Sequence, residues 1–555
     1  MMKNKIKEKV EEAFRELIEQ GVLQSMEIPA AHQVSVPKQR DHGDFASNIS
    51  MISASTARKP PRQIAEALAE LLRNDALFEK VEVAGPGFLN FFVSQETWQK
   101  NLLLMYQAGD HYGETDTGKG RRVLIEFVSA NPTGPLHVGH GRGAAVGDSL
   151  ARVMKAAGFA VETEYYINDV GNQMKTLGRS VYLRYRELLG EKIDFPKDHY
   201  QGDYIKEIAE EILKAESDKF KNKPEEEVLD FFIQRAVEKI FAGIKEDLRI
   251  FGVHFDNWFS ERTLHESSQV EQSLRELEKR GFLYEQDGAL WFRTSQFGDE
   301  KDRVVRRSNG ELTYFAADIA YHLNKIQRGY DLLVDIWGAD HHGYVPRVKA
   351  AIKAFGKDEN QLKVLLVQLV SLIEGGEQKA MSTRAGEFVT LREVLEDVGR
   401  DAARFIFLTR RCDSPLEFDL DLAKSQTQEN PVFYVQYAHA RLASVFRKAK
   451  EAGVEMRDPE AIDVTKLSEP EELELLKGMD SLPQIIAESA ESQEPHRISY
   501  FLTELAGKLH RYYTKHRFLG EDEELTQARL LLAWVLKQVF KKGLGVLGVS
   551  APESM

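Results

Sequence analysis

One segment constrains the fold more than any other: an apolar run at 123–128, followed by a loop and a long helical pattern. An almost unbroken apolar run is typical of a strand that is buried on both faces of a parallel sheet. The helical pattern ends at Gly158, and a second strand-like run follows at 160–166. Strand, helix and strand in this order predict a βαβ unit, and therefore a doubly wound α/β domain.

The rest of the chain divides around this unit. Later strands of the same sheet are predicted at 332–337 and 363–373, and Glu- and Lys-rich helical patterns at about 172–300 predict a helical insertion. With 555 residues, three or four domains are expected at about 100–200 residues each. We predict an N-terminal α+β domain at 1–115, a Rossmann-like sheet domain at 116–414 and an all-α helical bundle at 415–555.

Charge is distributed unevenly along the helical C-terminal part. Residues 455–495 hold 12 acidic and 3 basic residues, whereas 496–518 hold 1 acidic and 5 basic residues. This pattern predicts an acidic connector between basic helices. The net charge of the whole chain, −14, excludes a protein that is basic overall and binds nucleic acids non-specifically, but local basic faces remain.

Two absences indicate the compartment. The only cysteine, Cys412, excludes a disulfide framework and any cysteine-based metal cluster. The first helical pattern has charges between its apolar residues, unlike a signal peptide, and the most apolar stretch is about half the length of a membrane span. We therefore predict a cytoplasmic protein that does not contact membranes.

The loop after the first strand ends in His137-Val138-Gly139-His140, at the start of the helix. Open α/β sheets bind ligands at the carboxyl ends of their strands, and a helix N-terminus suits phosphate. Two imidazoles there can stabilise a phosphoryl group during displacement, and Gly139 lets a flat base approach the backbone. A zinc pair would lack a third ligand at a suggestive spacing. The glycines that follow do not form a dinucleotide-binding fingerprint.

Two acidic residues indicate a cationic ligand. Glu126 lies inside the apolar strand, where a lone carboxylate is costly unless a cation pairs with it. That cation is either a structural arginine (Arg121, Arg122 or Arg142) or a substrate guanidinium, which carboxylates bind bidentately. Asp318 follows Tyr314 by four residues, so the two share a face if the segment is helical. A surface Tyr–Asp pair is the alternative there.

The His137–His140 element, Tyr165–Asp169 and three further motifs resemble the bacterial arginyl-tRNA synthetase family of class I aminoacyl-tRNA synthetases. The further motifs are Phe255–Glu261, Trp337–Gly343 and Asn430–Arg441. The resemblance covers essentially the whole chain. It implies ATP-dependent activation of L-arginine to arginyl-adenylate and transfer to the 3′ end of tRNA(Arg). It also implies ATP with Mg²⁺ as substrate, no tightly bound cofactor, no resident metal and a monomer.

The same resemblance assigns roles to residues of the predicted pocket. Glu126 and Asp318 would clamp the guanidinium with Tyr314 packed beside it, and Ser129 and Asn131 would hold the α-amino and carboxylate groups. Asp340 would lie near the substrate amine. The ATP-binding residues would be His137, Gly139, His140, Met381 and Ser382.

A second class I signature, a lysine-rich loop, is degenerate in this chain. Gly375–Arg384 occupies its place, and alignment on Met381-Ser382 puts Ala380 and Thr383 where lysines are usual. We expect Lys379 and Arg384 to neutralise pyrophosphate instead. A merely solvated basic loop is the alternative.

The C-terminal part resembles an anticodon-binding domain. Tyr434 and Tyr437 would stack on unpaired bases, and Met555 would lie in the same site. Aromatic residues interleaved with basic ones at 496–518 also fit a tRNA surface, although aromatic residues at helical spacing more often form a core. The N-terminal motif His42–Asn48 resembles that of a domain that touches the D-loop corner of tRNA.

Two other functions remain open from the sequence. The first is another class I synthetase or an H-x-G-H nucleotidyltransferase, although the paired acids favour a cationic substrate. The second is a tRNA-binding paralogue that has lost activation, which only the degenerate loop supports.

Overall fold

The computed structural model describes residues 1–379 and 389–555, in which three structural regions follow one another. The N-terminal region packs helices on an antiparallel sheet of order β1-β2-β4-β3. Its elements are α1 (Met2–Glu19), β1 (Val34–Ser35), β2 (Phe45–Ser47), α2 (Ile49–Ala57), α3 (Pro61–Leu72), β3 (Phe78–Ala84), β4 (Phe88–Val93) and α4 (Gln95–Ala108).

Sequence pattern explains these N-terminal elements. In α1 the apolar residues Ile6, Val10 and Phe14 recur at helical spacing, and all three are buried. The third helix begins at Pro61, where proline is tolerated because a first-turn N–H has no helical acceptor. The region is therefore the predicted α+β layer of helices on a small sheet.

The central region contains a five-stranded parallel sheet of order β12-β11-β5-β6-β7. Its elements as far as β10 are β5 (Arg122–Phe127), α5 (Val138–Ala156), β6 (Ala160–Ile167), α6 (Asn172–Leu188), α7 (Asp203–Glu216), α8 (Glu225–Ile250), β7 (Asn257–Ser260), α9 (Arg262–Glu266), α10 (Gln269–Lys279), β8 (Leu283–Gln286), β9 (Ala289–Phe292) and β10 (Arg303–Arg306). They continue with α11 (Tyr314–Gln327), β11 (Leu332–Gly338), α12 (Val345–Ala354), β12 (Leu362–Val367), β13 (Val370–Glu374), β14 (Glu377–Gln378), α13 (Leu391–Val398), α14 (Arg400–Phe407), β15 (Leu416–Asp419) and α15 (Leu420–Lys424). The predicted parallel α/β architecture is confirmed.

The strand order places a crevice at the centre of this sheet. From β5 the chain proceeds outward through β6 to β7, and later returns to the other side of β5 as β11. Ligands bind at such a switch point, outside the carboxyl ends of the strands. Helix α5 lies close against β5, because a Cβ on Gly147 would come within 2.2 Å of the Phe127 ring. Residues at the end of β5 and the start of α5 therefore meet at the crevice.

One strand prediction was wrong. The apolar run at 363–373 forms two strands in different sheets: β12 pairs with β11, whereas β13 pairs with β14 and β15. The break falls at Gln368, whose backbone N–H donates to Cys412 O and whose carbonyl accepts from the buried Arg142. A polar residue with its own partners therefore ends the first strand.

The prediction of a helical insertion at 172–300 also needs correction. Helices α6, α7 and α8 do occupy much of that range, but β7 within it pairs in parallel with β6. The range also includes β8 and β9, which form an antiparallel sheet with β10. The chain therefore returns to the main sheet inside the range, and only part of it is helical.

The C-terminal region is helical, as predicted. Its helices are α16 (Pro431–Glu451), α17 (Pro470–Asp480), α18 (Leu482–Ser492), α19 (His496–Lys515) and α20 (Glu523–Val546). The expected acidic connector is not a connector, because much of it folds as α17 and α18, with Leu475, Leu476 and Ile486 fully buried. No helix in the described part of the chain has the length and apolar character needed to cross a membrane.

Candidate active site

The loop after β5 begins with a strained backbone. Val128 and Ser129 have φ angles of 68° and 41°, in the left-handed region that a β-branched residue such as valine rarely adopts. In this turn Ser129 Oγ donates to Glu126 Oε1 at 2.8 Å. Ser129 Oγ also accepts from the Tyr166 N–H at 3.1 Å. Strain of this kind is often held at functional sites, and here it fixes the end of β5.

The two histidines of the following motif cap helix α5. His137 Nδ1 accepts from the N–H groups of Gly139 and His140 at 3.1 and 3.4 Å. His140 Nδ1 accepts from the His137 N–H at 3.3 Å, and the two rings stack with centroids 3.7 Å apart. Since both Nδ1 atoms accept, each ring carries its proton on Nε2 when neutral. The side chains thus take up helix N–H groups that we expected to face phosphate.

Burial keeps both imidazoles neutral near pH 7. It lowers the pKa of His137, and it lowers the pKa of His140 to about 3. Neutral rings donate hydrogen bonds through Nε2–H without adding a full charge to the site.

A cavity of about 320 Å³ lies beside this loop, between the ends of β5, β6, β11 and the start of α11. Its volume is within the usual range for a small-molecule site. It is lined by carboxylates and by aromatic rings, together with the polar side chains of the loop. The carboxylates are Glu126, Glu261 and Asp318, the aromatic residues are Tyr166, Tyr314, Tyr321, Trp337 and Tyr344, and the loop residues are Ser129 and Asn131.

The structure corrects the expected structural partner of Glu126. None of the three arginines considered is its partner; Glu126 Oε2 instead contacts Nζ of Lys325, on α11. The same Nζ donates to Asp335 Oδ1 at 2.7 Å, and Asp335 Oδ2 bonds His322 Nε2 at 2.9 Å. Glu126 and Asp335 are direct neighbours in the register of β5 and β11. A buried ammonium therefore bridges two buried carboxylates under the cavity.

These buried charges shift each other's pKa values. Burial raises the pKa of Glu126, against the opposing effect of Lys325. Burial alone would lower the pKa of Lys325, but Asp335 and Glu126 raise it well above its ordinary value. Burial opposes the ionisation of Asp335, yet the Lys325 ammonium and His322 lower its pKa to about 2. The ammonium is therefore held charged at neutral pH.

Asp318 and Tyr314 lie on the same wall of the cavity, as predicted for one helical face. The phenol of Tyr344 donates to Asp318 Oδ2, and burial raises the pKa of the Asp318 carboxyl. Tyr314 starts α11 and is 47% exposed, with its ring near Gly171. The alternative of an isolated surface pair does not fit, because Asp318 faces the cavity and bonds another residue.

Two predicted residues lie at the rim. Asn131 Nδ2 donates to Gln173 Oε1 at 2.8 Å and belongs to the cavity lining. Asp340 is in a 3₁₀ turn after β11, 3.7 Å from His341 Nε2, and its side chain is 80% exposed. It is close enough to His137 to act on the charge of that ring, whereas Gly338 and His341 line the cavity itself.

The degenerate loop is described only at its start. Lys379 Nζ lies 2.6 Å from Glu374 Oε2, so in this structure the lysine has an acidic partner on β13. The predicted residues Met381, Ser382 and Arg384 lie outside the described residues.

The predicted tRNA-contacting residues gather on α16. Tyr434 and Tyr437 are half-buried, and both rings lie near His510 of α19, with centroids 4.6 and 5.9 Å away. The C-terminal tail packs on the same helix, since His439 Nδ1 bonds Pro552 O at 2.8 Å. Met555 is 54% exposed beside a cavity of about 430 Å³ at the start of α16.

The sequence interpretation missed Glu261, His322 and Tyr344 of the cavity lining. It also missed Lys325 and Asp335, which lie beneath the cavity. A signal was present for two of them. Asp335 lies inside an apolar strand, as Glu126 does, and Lys325 follows Asp318 by seven residues, which puts both on one helical face.

Comparison with known proteins agrees with this geometry. Three family models match the chain: "Arginyl tRNA synthetase N terminal domain" at 2–93, "tRNA synthetases class I (R), catalytic domain" at 102–413 and "DALR anticodon binding domain" at 435–555. An arginine–tRNA ligase of Syntrophotalea carbinolica is 52% identical over 555 residues, covering 100% of both chains. The chain belongs to the arginyl-tRNA synthetase family.

Other relatives agree with this identification. The arginine–tRNA ligase of Citrifermentans bemidjiense is 53% identical to this synthetase over 537 residues, covering 96% of this chain and 97% of the relative. The solved arginyl-tRNA synthetase of Thermus thermophilus matches all of both chains with a TM-score of 0.77 at 24% identity, which supports the fold. The predicted family and the class I ligase function are therefore confirmed.

Proposed function

We propose that this synthetase binds arginine in the cavity at the end of β5, with Glu126 and Asp318 accepting the guanidinium and Tyr314 packing beside it. The observation that carries the proposal is that carboxylates from β5 and α11 face one small space walled by aromatic rings. Each carboxylate oxygen has two acceptor sites, so the bonds from Lys325, Ser129 and Tyr344 leave room for more donors.

The loop residues orient the other end of the amino acid. Ser129 and Asn131 hold the α-amino and carboxylate groups, and Asp340 lies near the amine. Since the strained turn fixes Ser129, the substrate carboxylate is directed towards the histidine pair at the start of α5.

ATP enters as its magnesium complex and lies against His137, Gly139 and His140, and Met381 and Ser382 also bind it. An oxygen of the arginine carboxylate attacks the α-phosphorus, and the bond from that phosphorus to the pyrophosphate oxygen breaks. The Nε2–H groups of His137 and His140 donate to the phosphoryl oxygens as negative charge develops. Lys379 and Arg384 neutralise the leaving pyrophosphate.

The second step transfers the arginyl group. A ribose hydroxyl at the 3′ end of tRNA(Arg) attacks the carbonyl carbon of arginyl-adenylate, and AMP leaves with the electrons of the broken bond. Tyr434, Tyr437 and Met555 contact the anticodon loop, which agrees with the anticodon-binding family match over 435–555.

The remaining parts of the proposal concern organisation. We assign 1–115 to an N-terminal tRNA-contacting domain, 116–414 to catalysis and 415–555 to anticodon binding. The synthetase acts as a monomer in the cytoplasm.

An arginine-dependent ATP–pyrophosphate exchange assay with tRNA(Arg) present tests the pocket. Asp318→Asn keeps the shape of the side chain but removes its charge, and we expect kcat/KM for arginine to fall about 100-fold, since such pairs contribute roughly 2–5 kcal/mol. Glu311→Gln is the matched control, because Glu311 is exposed and lies three residues before α11. An Asp318→Asn enzyme with the arginine KM of the control would rule out the proposed pocket.

A further inference from the structure

Lys325 is a buried cation that the proposed chemistry does not use. Its side chain is 0% exposed, although lysine is almost never fully buried unless it is paired. It lies on α11, beneath the cavity, and bridges Glu126 of β5 and Asp335 of β11. The two carboxylates are aligned in the sheet register, so the ammonium fills the space between neighbouring strands.

The contacts of Glu126 leave its carboxylate little freedom. Lys325 occupies Oε2, and Ser129 Oγ donates to Oε1 at 2.8 Å. Ser129 is itself held by the Tyr166 N–H and by its left-handed backbone. With a donor on each oxygen, the plane of the carboxylate is fixed, and its remaining acceptor sites face the cavity.

The charges around Glu126 make Lys325 its principal counterion. The charged groups that act on this carboxylate are Lys325 and His322 of α11 and Asp335 of β11, and the phenols of Tyr321 and Tyr166 are near it. Glu164 of β6 is its neighbour in the sheet register, and Asp318 of α11 lines the same cavity. Most of these groups are acids or phenols. Arg328 is nearby, but its guanidinium pairs with Glu164 at 2.7 Å. Without Lys325, an ionised Glu126 would therefore be a buried carboxylate next to Asp335 and Glu164, with His322 as its nearest basic group.

We propose that Lys325 is a positioning residue for arginine binding: its buried ammonium keeps Glu126 ionised and holds the carboxylate in the orientation that accepts a guanidinium. This inference rests on the proposed function, since it requires Glu126 to touch arginine. Asp335 is the second carboxylate that Lys325 contacts, and its other oxygen bonds His322. Lys325 itself does not contact substrate.

The test uses ATP–pyrophosphate exchange with the full-length enzyme and tRNA(Arg). In Lys325→Met, we expect the arginine KM at about pH 7 to rise about tenfold or more, since a lost bond to a charged group costs roughly 1.5–3 kcal/mol. The ATP KM should change less than about twofold, because Lys325 lies under the arginine cavity only. The arginine KM of the variant should recover towards about pH 9, as Glu126 ionises without its counterion, whereas that of the wild type stays flat.

Asp335→Asn is the matched control within the same network. It removes the other carboxylate from Lys325 but leaves the contact between Lys325 and Glu126. We expect its arginine KM to stay within about threefold of the wild type, with no pH dependence from about pH 7 to 9.

Lys325→Met alone leaves two buried carboxylates without their cation, which can prevent folding. The double variant Lys325→Met with Asp335→Asn removes one buried charge of each sign and so avoids this imbalance. We expect it to fold and to show the raised, pH-dependent arginine KM. If the double variant has the arginine KM of the wild type, Lys325 only neutralises Asp335. If the double variant fails to fold while Asp335→Asn folds, the role of Lys325 is purely structural. Either result overturns the proposal.

Glu126→Gln separates this inference from the proposed function. If its arginine KM is unchanged, Glu126 does not contact arginine, and the pocket assignment itself fails. If its arginine KM rises while the double variant behaves as the wild type does, only the positioning role of Lys325 is lost.

Discussion

The proposed arginine cavity and the C-terminal helices both contain pairs of opposite charges, but these pairs lie in different environments. Under the cavity, Lys325, Glu126 and Asp335 are all buried. On the C-terminal helices, Lys515 of α19 pairs with Glu471 of α17 while 61% of the lysine side chain stays exposed. A buried charge must keep its partner, whereas an exposed one exchanges protein for water at little cost.

Ion pairs between the C-terminal helices explain why acidic and basic residues are unevenly distributed along that part of the sequence. The acids of α17 lie against the bases of α19 and α20, since Glu471 pairs with Lys515 and Glu472 pairs with Arg529. Lys477 of α17 also pairs with Asp44 of the N-terminal region. The acidic segment thus joins neighbouring elements by charge, and part of the basic surface that we expected to face tRNA is paired within the chain.

We expect the largest effect on the free energy of unfolding at a buried ion pair that lies outside the cavity. This pair tests whether burial, rather than a position under the cavity, makes the partner of a charge essential. Glu472 has a fully buried side chain that accepts from Arg529 and from Tyr512. Arg529→Met leaves this carboxylate without its cation, and we expect the free energy of unfolding to fall by about 3–5 kcal/mol. Urea denaturation measures it. A decrease in the free energy of unfolding as small as that at an exposed ion pair would contradict the difference between buried and exposed pairs.

A smaller effect is expected at the proposed tRNA surface. Tyr437→Ala removes a half-buried ring from α16, and we expect tRNA(Arg) affinity to fall by about 1–3 kcal/mol, as for a lost base stack. Filter binding measures the affinity, and exchange kinetics with saturating tRNA should retain the arginine KM. Leu188→Ala, at an exposed apolar side chain of α6, is the control. Equal losses in both variants would point to general destabilisation.

The pH dependence should differ between the two substrates. Burial raises the pKa values of Glu126 and Asp318, so these groups gain protons before ordinary carboxyls do as the pH falls below neutral. We expect the arginine KM to rise by up to about tenfold per pH unit on the acidic side. The ATP KM should change less, because burial lowers the pKa values of His137 and His140, so both rings take up protons at lower pH than an ordinary histidine does. An arginine KM that stays flat down to the pH at which ordinary carboxyls take up protons, about pH 4, would contradict the raised pKa values of Glu126 and Asp318.

The smallest effect is expected at an exposed pair. Hydrogen bonds from Lys515 and His516 lower the pKa of Glu471 to about 2, so the pair persists above that pH and is lost as the pH falls through it. Lys515→Ala should still change the free energy of unfolding much less than Arg529→Met does at neutral pH, since exposed pairs contribute little. Urea denaturation of Lys515→Ala and Arg529→Met under the same conditions compares the exposed pair with the buried one directly.

The sequence predicted what is local and repetitive. The strand, loop and helix at 123–156 follow from patterns within a few residues. The split of the run at 363–373 was missed, because it depends on Arg142 and Cys412, which are distant in the chain. Hydrophobic periodicity carries no information about such partners.

The candidate site shows the same limit. The sequence indicated part of the cavity lining, such as Glu126 and Asp318, but not the partner of Glu126, since Lys325 lies 199 residues away. The histidine caps were also unexpected, because the spacing of His137 and His140 does not show which ring nitrogen accepts. Sequence indicates which charged groups need partners, and only the fold shows which partners they have.

In the proposed function, the acidic cavity at the end of β5 selects a guanidinium, and the carboxylate of the bound arginine is directed towards the histidine pair. The most direct test is ATP–pyrophosphate exchange by the wild-type enzyme with tRNA(Arg), comparing arginine with lysine. We predict exchange with arginine and at least about 1,000-fold lower kcat/KM with lysine, whose compact ammonium cannot fill two fork-matched acceptors. Comparable exchange with both amino acids, or none with arginine, would contradict the account.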